Sequence, residues 1–430
     1  MTPTEERRGM RPLFWGITWN ILIAGVVSFF MDVSSEMTYA VAPMFLTALG
    51  ASASVIGLVE GIAEATAAVF KFFSGAFADK FQRYKPLVTI GYLISALSRP
   101  VMATSRAWHQ ILGARIFDRF GKGVRTAPRD AIIASSADPA HYGRSFGLHR
   151  AMDQAGAILG PAIAALILLV YIGATSDATA KDADAATLVK YVHGYRAVIW
   201  WSLVPGILAV IATLFIIETG RGAKKEKAES AAPATSDTDA TGSNRARYWY
   251  FLGVMFVFSI GNSSNAFLIL RALDLGISSA MVPFAYATMN VVYTAASIPW
   301  GIWADKIGFR RVILVGFGVY AVVYFAMGAA NAGWMMWVLF GAYGLFESAF
   351  EGQSRAYLAR LAKVHLRGTS FGLYHMLLAL TVFPASVIAG LLWDKVSHGA
   401  PFYYGATMAA AAFVMLLAEP MFFGRMNEKA

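Results

Sequence analysis

The sequence predicts an all-α membrane protein with twelve transmembrane helices in two pseudo-symmetric six-helix bundles. Of the 430 residues, 57% are hydrophobic and only 14% are charged, whereas soluble domains average about 25% charged residues. The hydrophobic residues form long runs that short basic loops separate. One phrase occurs twice, as GAFADKFQRYK from Gly75 and as GIWADKIGFRR from Gly301, which indicates that the two halves arose by duplication.

The hydrophobic runs predict twelve spans, because a membrane helix needs about 17–25 mainly apolar residues. The polar stretch 218–247 between spans 6 and 7 is predicted to be a cytoplasmic linker, and the stretch 173–194 a flexible loop. The predicted domains are an N-terminal bundle over 1–217 and a C-terminal bundle over 248–430. In order, the predicted spans are 14–47, 54–78, 87–104, 108–134, 145–172, 195–217, 248–272, 280–303, 311–330, 334–358, 368–394 and 400–423.

Lysine and arginine collect in the loops on one side of these spans, which predicts that both termini lie in the cytoplasm of a bacterial-type inner membrane. The basic residues that give the net charge of +10 lie in these short loops, as in other membrane proteins, so no nucleic-acid partner is expected. The absence of cysteine excludes disulfides and thiolate metal sites. We expect no metal and no cofactor, and a monomer whose partners are the lipid bilayer, a small molecule and protons.

The repeated phrase resembles the loop motif of the major facilitator superfamily and lies between spans 2 and 3 and between spans 8 and 9, as that family requires. The first copy departs from the family pattern at Gln82, where the second copy has Gly308. The resemblance implies a twelve-span transporter in which these loops act as gates and the glycines allow close helix approach. The gating residues are Gly75, Asp79, Lys80 and Arg83 in the first copy, and Gly301, Asp305, Lys306 and Arg310 in the second.

Span 5 carries a second motif, formed by Gly147, Gly156, Gly160 and Pro161. It resembles the span-5 motif of the antiporters in that family, except that it ends in Ala164–Ala165 instead of two glycines. The resemblance implies export in exchange for another solute. Small residues on one helix face also allow tight packing without any such role, and both interpretations stay open.

Ionisable residues inside spans are costly, so they are candidate functional residues. Asp32 and Glu36 lie one turn apart on span 1, and we predict that they carry the proton. In the family, spans 1, 4, 7 and 10 line the cavity. The candidate coupling and substrate residues are Asp32, Glu36, Glu60, Glu64, Arg115, Asp118, Arg119, Asn262, Asn265, Glu347 and Glu351.

Permanent ion pairs are the alternative role for these charges. We predict such pairs between the cations at the cytoplasmic half of span 4 (Lys122, Arg125, Arg129) and the acids Asp130, Asp153 and the loop of Asp79. Glu64 pairing with Arg115 or Arg119 is an equal alternative to a transport role. His149 is predicted to form hydrogen bonds near a gate and not to bind metal.

These patterns predict a secondary active transporter that works by alternating access, most simply a proton-coupled exporter of small organic or amphipathic compounds. The alternative is an ionic solute: a divalent cation on the carboxylates of spans 1 and 2, or an organic anion on the arginines of span 4. An enzyme is not expected, since the sequence holds no nucleophile motif, no metal-spaced histidines and no appended domain. The sequence leaves the substrate and the direction of transport open.

Overall fold

The computed structural model describes residues 12–14, 17–81, 83–137, 142–173, 184–218, 242–361 and 367–424. Their helices form twelve spans, which confirms the predicted number and the twelve-helix, two-bundle architecture. A short antiparallel hairpin, in which Pro12–Phe14 pairs with Ile17–Thr18, precedes the first span and was not predicted.

The bounds of the spans agree with the predicted runs to within a few residues, except at spans 6 and 7. Spans 1 to 6 are Trp19–Ala48, Ala53–Phe81, Lys85–Ala103, Trp108–Ser136, Tyr142–Tyr171 and Ala185–Leu214. Span 7 consists of two helices, Gly242–Gly261 and Ala266–Asp274. Spans 8 to 12 are Val282–Ile307, Phe309–Ala329, Gly333–Leu361, Arg367–Lys395 and Ala400–Phe423.

Nine stretches of the described residues are long and apolar enough to cross a membrane. Span 4 is not among them, because its charged residues follow one another at nearly every turn. Large apolar side chains are exposed along the spans, including Val170 at 83% and Val322 at 69%. Such a surface is costly in water and suits lipid, so the chain is an integral, multi-pass membrane protein.

Span 6 begins at Ala185, inside the stretch that was predicted to be a loop. Asp184 starts it, because its Oδ1 accepts a hydrogen bond of 2.8 Å from the backbone N–H of Thr187, as a helix cap does. Hydrogen bonds from the side chain and backbone of Thr187 lower the pKa of Asp184. The first turns of this helix are polar, so hydropathy alone did not reveal them.

The described residues group into two compact units. The first has its core between spans 1, 3, 4 and 6, and the second has a core of phenylalanines from spans 7, 9 and 10. The units do not follow the two halves of the sequence, so the predicted domain boundaries stay a prediction. The first unit takes its residues from Met1–Val41, Thr66–Ile167 and His193–Ser236, and the second from Ala42–Ala65, Leu168–Val192 and Asp237–Ala430.

In each unit, a glutamate near the end of one span contacts the residues that begin an earlier span. In the first unit, Glu218 follows span 6 and accepts hydrogen bonds from the backbone N–H groups of Tyr84 (2.9 Å) and Lys85 (3.0 Å), where span 3 begins. In the second unit, Glu419 near the end of span 12 binds Arg310 at 2.8 Å, where span 9 begins.

Candidate functional site

Span 5 crosses span 1 at the point where the predicted acids lie. A Cβ atom on Gly156 would be 2.5 Å from the backbone oxygen of Phe29 and 3.0 Å from Cβ of Asp32. A Cβ atom on Gly160 would be 2.8 Å from Cβ of Glu36. These distances leave no space for a side chain, so both positions require glycine. The structure therefore joins two sets of residues that the sequence indicated separately, the acids of span 1 and the glycines of span 5.

The other members of the span-5 motif differ from these two glycines. A Cβ atom on Gly147 would have no neighbour within 4 Å among the described residues, so packing against them does not explain this glycine. Pro161 lies inside the helix and is buried. Ala164 and Ala165, which replace the glycines of the resembled motif, are fully buried. Close contact between helices is therefore confined to the middle of the motif.

Asp32 has a neighbour that the sequence analysis paired with the cations of span 4. Asp153 on span 5 is close enough to Asp32 for the two side chains to interact electrostatically. Asp153 also pairs with Arg150, with 3.6 Å between Oδ2 and a guanidinium nitrogen. The predicted pairing of Asp153 with cations is therefore only part of its environment, because it also meets a second carboxyl group.

Asp118 on span 4 forms a buried ion pair with Arg99 on span 3. The shortest distance is 3.3 Å, and the two side chains are 5% and 1% exposed. Arg99 also donates to the hydroxyl groups of Ser34 (3.3 Å) and Ser35 (3.1 Å) on span 1. The sequence analysis missed Arg99, although it is the single charged residue in the predicted span 3. This pair fixes spans 1, 3 and 4 to one another.

Arg115 and Arg119, also on span 4, are buried at 2% and 6% exposure. The guanidinium carbon of Arg115 lies 5.5 Å from the centre of the Tyr39 ring, within the range of a cation–π contact. An aromatic ring thus accompanies one of these two buried cations, and their predicted role in transport stays a prediction.

The cations at the end of span 4 pair in part as predicted. Arg129 forms an ion pair of 3.0 Å with Asp130. Arg125 instead donates to the hydroxyl of Ser95 and stacks over Tyr92 at 4.4 Å, which the sequence did not indicate. His149 lies 2.8 Å from the hydroxyl oxygen of Ser28, in the hydrogen-bonding role that was predicted for it.

Glu60 and Glu64 belong to the second unit, whereas Asp32 and Glu36 belong to the first. Glu60 is fully buried and Glu64 is half-buried. The four carboxylates that were considered as one cation site are thus divided between the units. The pairing of Glu64 with an arginine of span 4 stays a prediction.

The helix of span 7 is interrupted between Gly261 and Ala266, whereas the sequence predicted one continuous span. The interrupting residues, Asn262 to Asn265, have short polar side chains that compete with the backbone for hydrogen bonds. The hydroxyl of Ser264 accepts a hydrogen bond of 3.2 Å from the backbone N–H of Ala266, and so takes the place of a helical carbonyl.

Polar side chains gather at this interruption. Tyr343 donates to Oδ1 of Asn265 at 3.0 Å, and the amide nitrogen of Asn265 donates to Glu347 at 3.4 Å. Tyr320 donates to Oδ1 of Asn262 at 3.3 Å. The structure thus brings Asn262, Asn265 and Glu347 together, as predicted for a polar site in the second half. The tyrosines that orient the amides were not identified from the sequence.

Glu351 lies one turn beyond Glu347 and is not part of this group. Its carboxylate accepts hydrogen bonds from the hydroxyl of Tyr293 and the guanidinium of Arg355. It is therefore held by neighbours on spans 8 and 10.

The predicted gates are described only in part. The structure describes the backbone at Gly75, Asp79, Lys80 and Asp305, but neither the side chains of the last three nor the surroundings of Gly75. Arg83 and Lys306 are exposed. A Cβ atom on Gly301 would meet no atom of the described residues within 4 Å, so those residues show no close helix approach there. Gly308 has φ = 96°, which explains why this turn between spans 8 and 9 uses glycine.

Arg310 was predicted to belong to a gate, but it binds Glu419 in a buried cluster. Glu419 lies 2.8 Å from Nε of Arg310 and 3.1 Å from Nε of Arg247, and it accepts a hydrogen bond of 2.6 Å from Tyr357. The cluster ties spans 7, 9, 10 and 12 together. The sequence analysis overlooked Glu419, although it is the single charged residue in the predicted span 12.

Within the second unit, span 2 packs closely against span 11 at the predicted periplasmic end. The carboxylate of Asp394 accepts hydrogen bonds from the backbone N–H groups of Ala53 (3.2 Å) and Ser54 (2.8 Å), which begin span 2. A Cβ atom on Gly57 would be 2.1 Å from the backbone oxygen of Ser386. A span of the first sequence repeat is thus held by a span of the second.

Comparison with known proteins adds to this geometry. The model of the Major Facilitator Superfamily matches residues 24–270 and 249–425. The chain is 33% identical over 412 residues to an uncharacterized MFS-type transporter of Methanocaldococcus jannaschii, covering 93% of this chain and 94% of that protein. It is 30% identical over 126 residues to the multidrug resistance protein MdtH of Proteus mirabilis, covering 29% of this chain and 31% of that protein. A crystal structure of a POT family transporter in complex with 5-aminolevulinic acid has a TM-score of 0.76 at 11% identity, with 97% of this chain and 99% of that chain covered.

Proposed function

We propose a coupling ion and a direction for this chain, which belongs to the Major Facilitator Superfamily and is a multi-pass membrane transporter, not an enzyme. The proposal is a proton-coupled antiporter that exports small organic or amphipathic compounds by alternating access. The observation that carries it is the contact of Asp32 and Glu36 with Gly156 and Gly160. Protonatable acids lie directly against the helix whose motif resembles that of antiporters.

The chemistry of span 1 supports a proton as the coupling ion. Burial disfavours the charged form of a carboxyl group, so acids inside a membrane helix bind and release protons in a range that cells use. Asp32 and Glu36 lie where spans 1 and 5 pack without free space between them. Any movement of one span against the other therefore changes the surroundings of these carboxyl groups. Proton binding is then linked to the conformation of the protein, as coupled transport requires.

Export is supported by the span-5 motif and by the partial similarity to a multidrug resistance protein. In this proposal both termini face the cytoplasm of an inner membrane, the chain works as a monomer, and the bundles are residues 1–217 and 248–430. The loops with Asp79 and Asp305 act as gates. The polar group around Asn265 and Glu347 in the second unit offers amide and carboxylate contacts to substrate.

A second candidate is an organic anion as the solute. It is favoured by Arg115, which is buried and lies 5.5 Å from the centre of the Tyr39 ring. A guanidinium beside an aromatic ring suits a ligand that combines a carboxylate with an apolar body.

The test is transport by purified protein in liposomes that contain a pH-sensitive dye. Lipophilic cations, neutral amphipathic compounds and organic anions are added one at a time under an imposed pH gradient. We expect proton movement with one of the first two classes, and its loss in Asp32→Asn and Glu36→Gln. Asp130→Asn is the matched control, since it removes a carboxylate whose side chain is 45% exposed and pairs at the end of span 4.

Two results contradict the proposal. Unchanged proton movement in the variant that carries both Asp32→Asn and Glu36→Gln removes span 1 from the coupling. Transport of an organic anion that moves no protons favours the second candidate instead.

A further inference from the structure

Arg99 on span 3 contacts span 1 between the two predicted coupling acids. Its Nε donates a hydrogen bond of 3.3 Å to the hydroxyl of Ser34, and its Nη2 donates one of 3.1 Å to the hydroxyl of Ser35. In the sequence these serines lie between Asp32 and Glu36. Residues three apart are neighbours on a helix surface, so Ser35 lies beside Asp32. The guanidinium of Arg99 therefore holds the segment of span 1 that carries both acids.

The hydrogen bonds of Arg99 and its ion pair go to different spans. Nη2 lies 3.3 Å from Oδ1 of Asp118 on span 4, and both side chains are buried. Among the described residues, this oxygen of Asp118 accepts no hydrogen bond, whereas Nε and Nη2 of Arg99 donate to span 1. A buried acceptor without a hydrogen bond is costly. Span 4 thus holds an unused acceptor within reach of the guanidinium.

Spans 3 and 4 form a tightly packed base for this ion pair. A Cβ atom on Gly91 would be 2.8 Å from the backbone oxygen of Gly121, and a Cβ atom on Gly121 would be 2.6 Å from the backbone oxygen of Gly91. The hydroxyl of Ser95 on span 3 also donates to the backbone oxygen of Asp118 at 3.1 Å. Arg99 and Asp118 are therefore held together by their own spans, whereas the link to span 1 consists of hydrogen bonds to two hydroxyl groups.

We infer that Arg99 is the positioning residue of the coupling acids: it holds the Asp32–Glu36 segment in the present conformation and transfers its hydrogen bonds to Asp118 when that segment moves away. This inference rests on the proposed function for the role of the acids. A guanidinium has several donors, so it can exchange acceptors while its buried charge keeps an anion beside it. Each conformation then has contacts that the other lacks, as a change of state requires. Asp118, which the sequence analysis counted among the coupling residues, is the anion that permits the exchange.

Other charged groups act on the same region without replacing Arg99. Among the described residues, Arg99 is the cation that hydrogen-bonds to Ser34 and Ser35. The groups that interact electrostatically with Asp32 or with the ion pair are Lys122, Arg115, Arg119 and Arg125 of span 4, Asp153 of span 5 and Glu36 of span 1.

The test removes the acceptors on span 1 and leaves the ion pair intact. The variant that carries both Ser34→Ala and Ser35→Ala strands no buried charge, since Arg99 keeps Asp118. The matched control is Ser202→Ala, which removes a hydroxyl of span 6 that lies 3.1 Å from the hydroxyl of Thr38 on span 1. Hydrogen–deuterium exchange of the full-length protein in lipid reports on the peptide that covers 28–40. The liposome assay with the pH-sensitive dye gives the pH profile of proton movement.

The double alanine variant is expected to exchange faster in this peptide than the wild type and to have a displaced pH profile. Ser202→Ala is expected to leave the pH profile in place. Ser35→Thr keeps the hydroxyl at a half-buried position and is expected to retain the wild-type profile, which Ser35→Ala does not. If the double variant does not fold, Ser35→Ala alone provides the same comparison.

Three results overturn the inference: unchanged exchange in the alanine variants, faster exchange with an unchanged pH profile, and a profile that Ser202→Ala displaces equally. The two measurements also separate the inference from the function on which it rests. Faster exchange in the double variant, together with a wild type that moves no protons with any solute, supports the hold of Arg99 on span 1 and refutes the proposed function. Proton-coupled transport by the wild type, together with unchanged exchange in the double variant, refutes the inference and leaves the function standing.

Discussion

Gly156→Ala is expected to destabilise the protein, whereas Gly147→Ala is not. A methyl group on Gly156 would lie 2.5 Å from the backbone oxygen of Phe29, and C–H···O contacts are normally about 3.3–3.6 Å. Spans 1 and 5 must therefore separate by about 0.8 Å. Overpacking of this kind costs about 1–3 kcal/mol, and the opposing atom belongs to the backbone, so no side-chain rotation relieves it.

Gly147→Ala is the matched control, because it lies on the same helix and its methyl group would meet no described residue within 4 Å. Both substitutions gain about 1 kcal/mol of helix propensity, so the difference between them isolates the packing cost. Thermal unfolding of the purified proteins in detergent measures that difference. Equal unfolding temperatures for the two variants would refute the argument that Gly156 marks a contact without free space.

Three further predictions concern other parts of the chain. Glu419→Gln should lower the free energy of unfolding by about 3–5 kcal/mol, because it leaves the buried Arg247 and the partly buried Arg310 without their anion; an unchanged melting temperature would show that the cluster is dispensable. Asp394→Ala should increase maleimide labelling of a cysteine that replaces the buried Ser386, since it removes the cap that holds span 2 to span 11; equal rates with and without the substitution would rule out a latch. Cysteines that replace Ala185 and Ser230 should react from opposite sides of the membrane, and reaction from the same side would contradict the predicted topology.

The sequence by itself was sufficient for the membrane fold and for the family. Twelve spans follow from hydrophobic runs, and the runs are local properties of the chain that lipid requires of any spanning helix. The repeated loop phrase indicated both the duplication and the family, which the comparisons confirm. The sequence showed Gly308 only as part of the repeated phrase, and the structure explains it, because a turn with φ = 96° demands glycine.

Local polarity concealed two features of the helices. The start of span 6 is too polar for a hydropathy signal, and Asp184 defines it by capping. Span 7 is apolar enough to be predicted as one helix, yet its Asn262–Asn265 segment interrupts it. In both cases hydrogen bonds from a few side chains determine the backbone conformation. Average hydrophobicity carries no information about such hydrogen bonds.

Tertiary structure decided which charged residue meets which. The sequence placed Asp32, Asp118 and Asp153 on the correct spans, and Arg310 in the loop before span 9. It did not predict that Asp32 interacts with Asp153, that Asp118 pairs with Arg99, or that Arg310 pairs with Glu419. Helical periodicity gives the face on which a side chain lies within its own helix. The partner depends on how neighbouring helices are rotated and how closely they approach, and contacts such as that of Gly156 with the backbone of Phe29 set both.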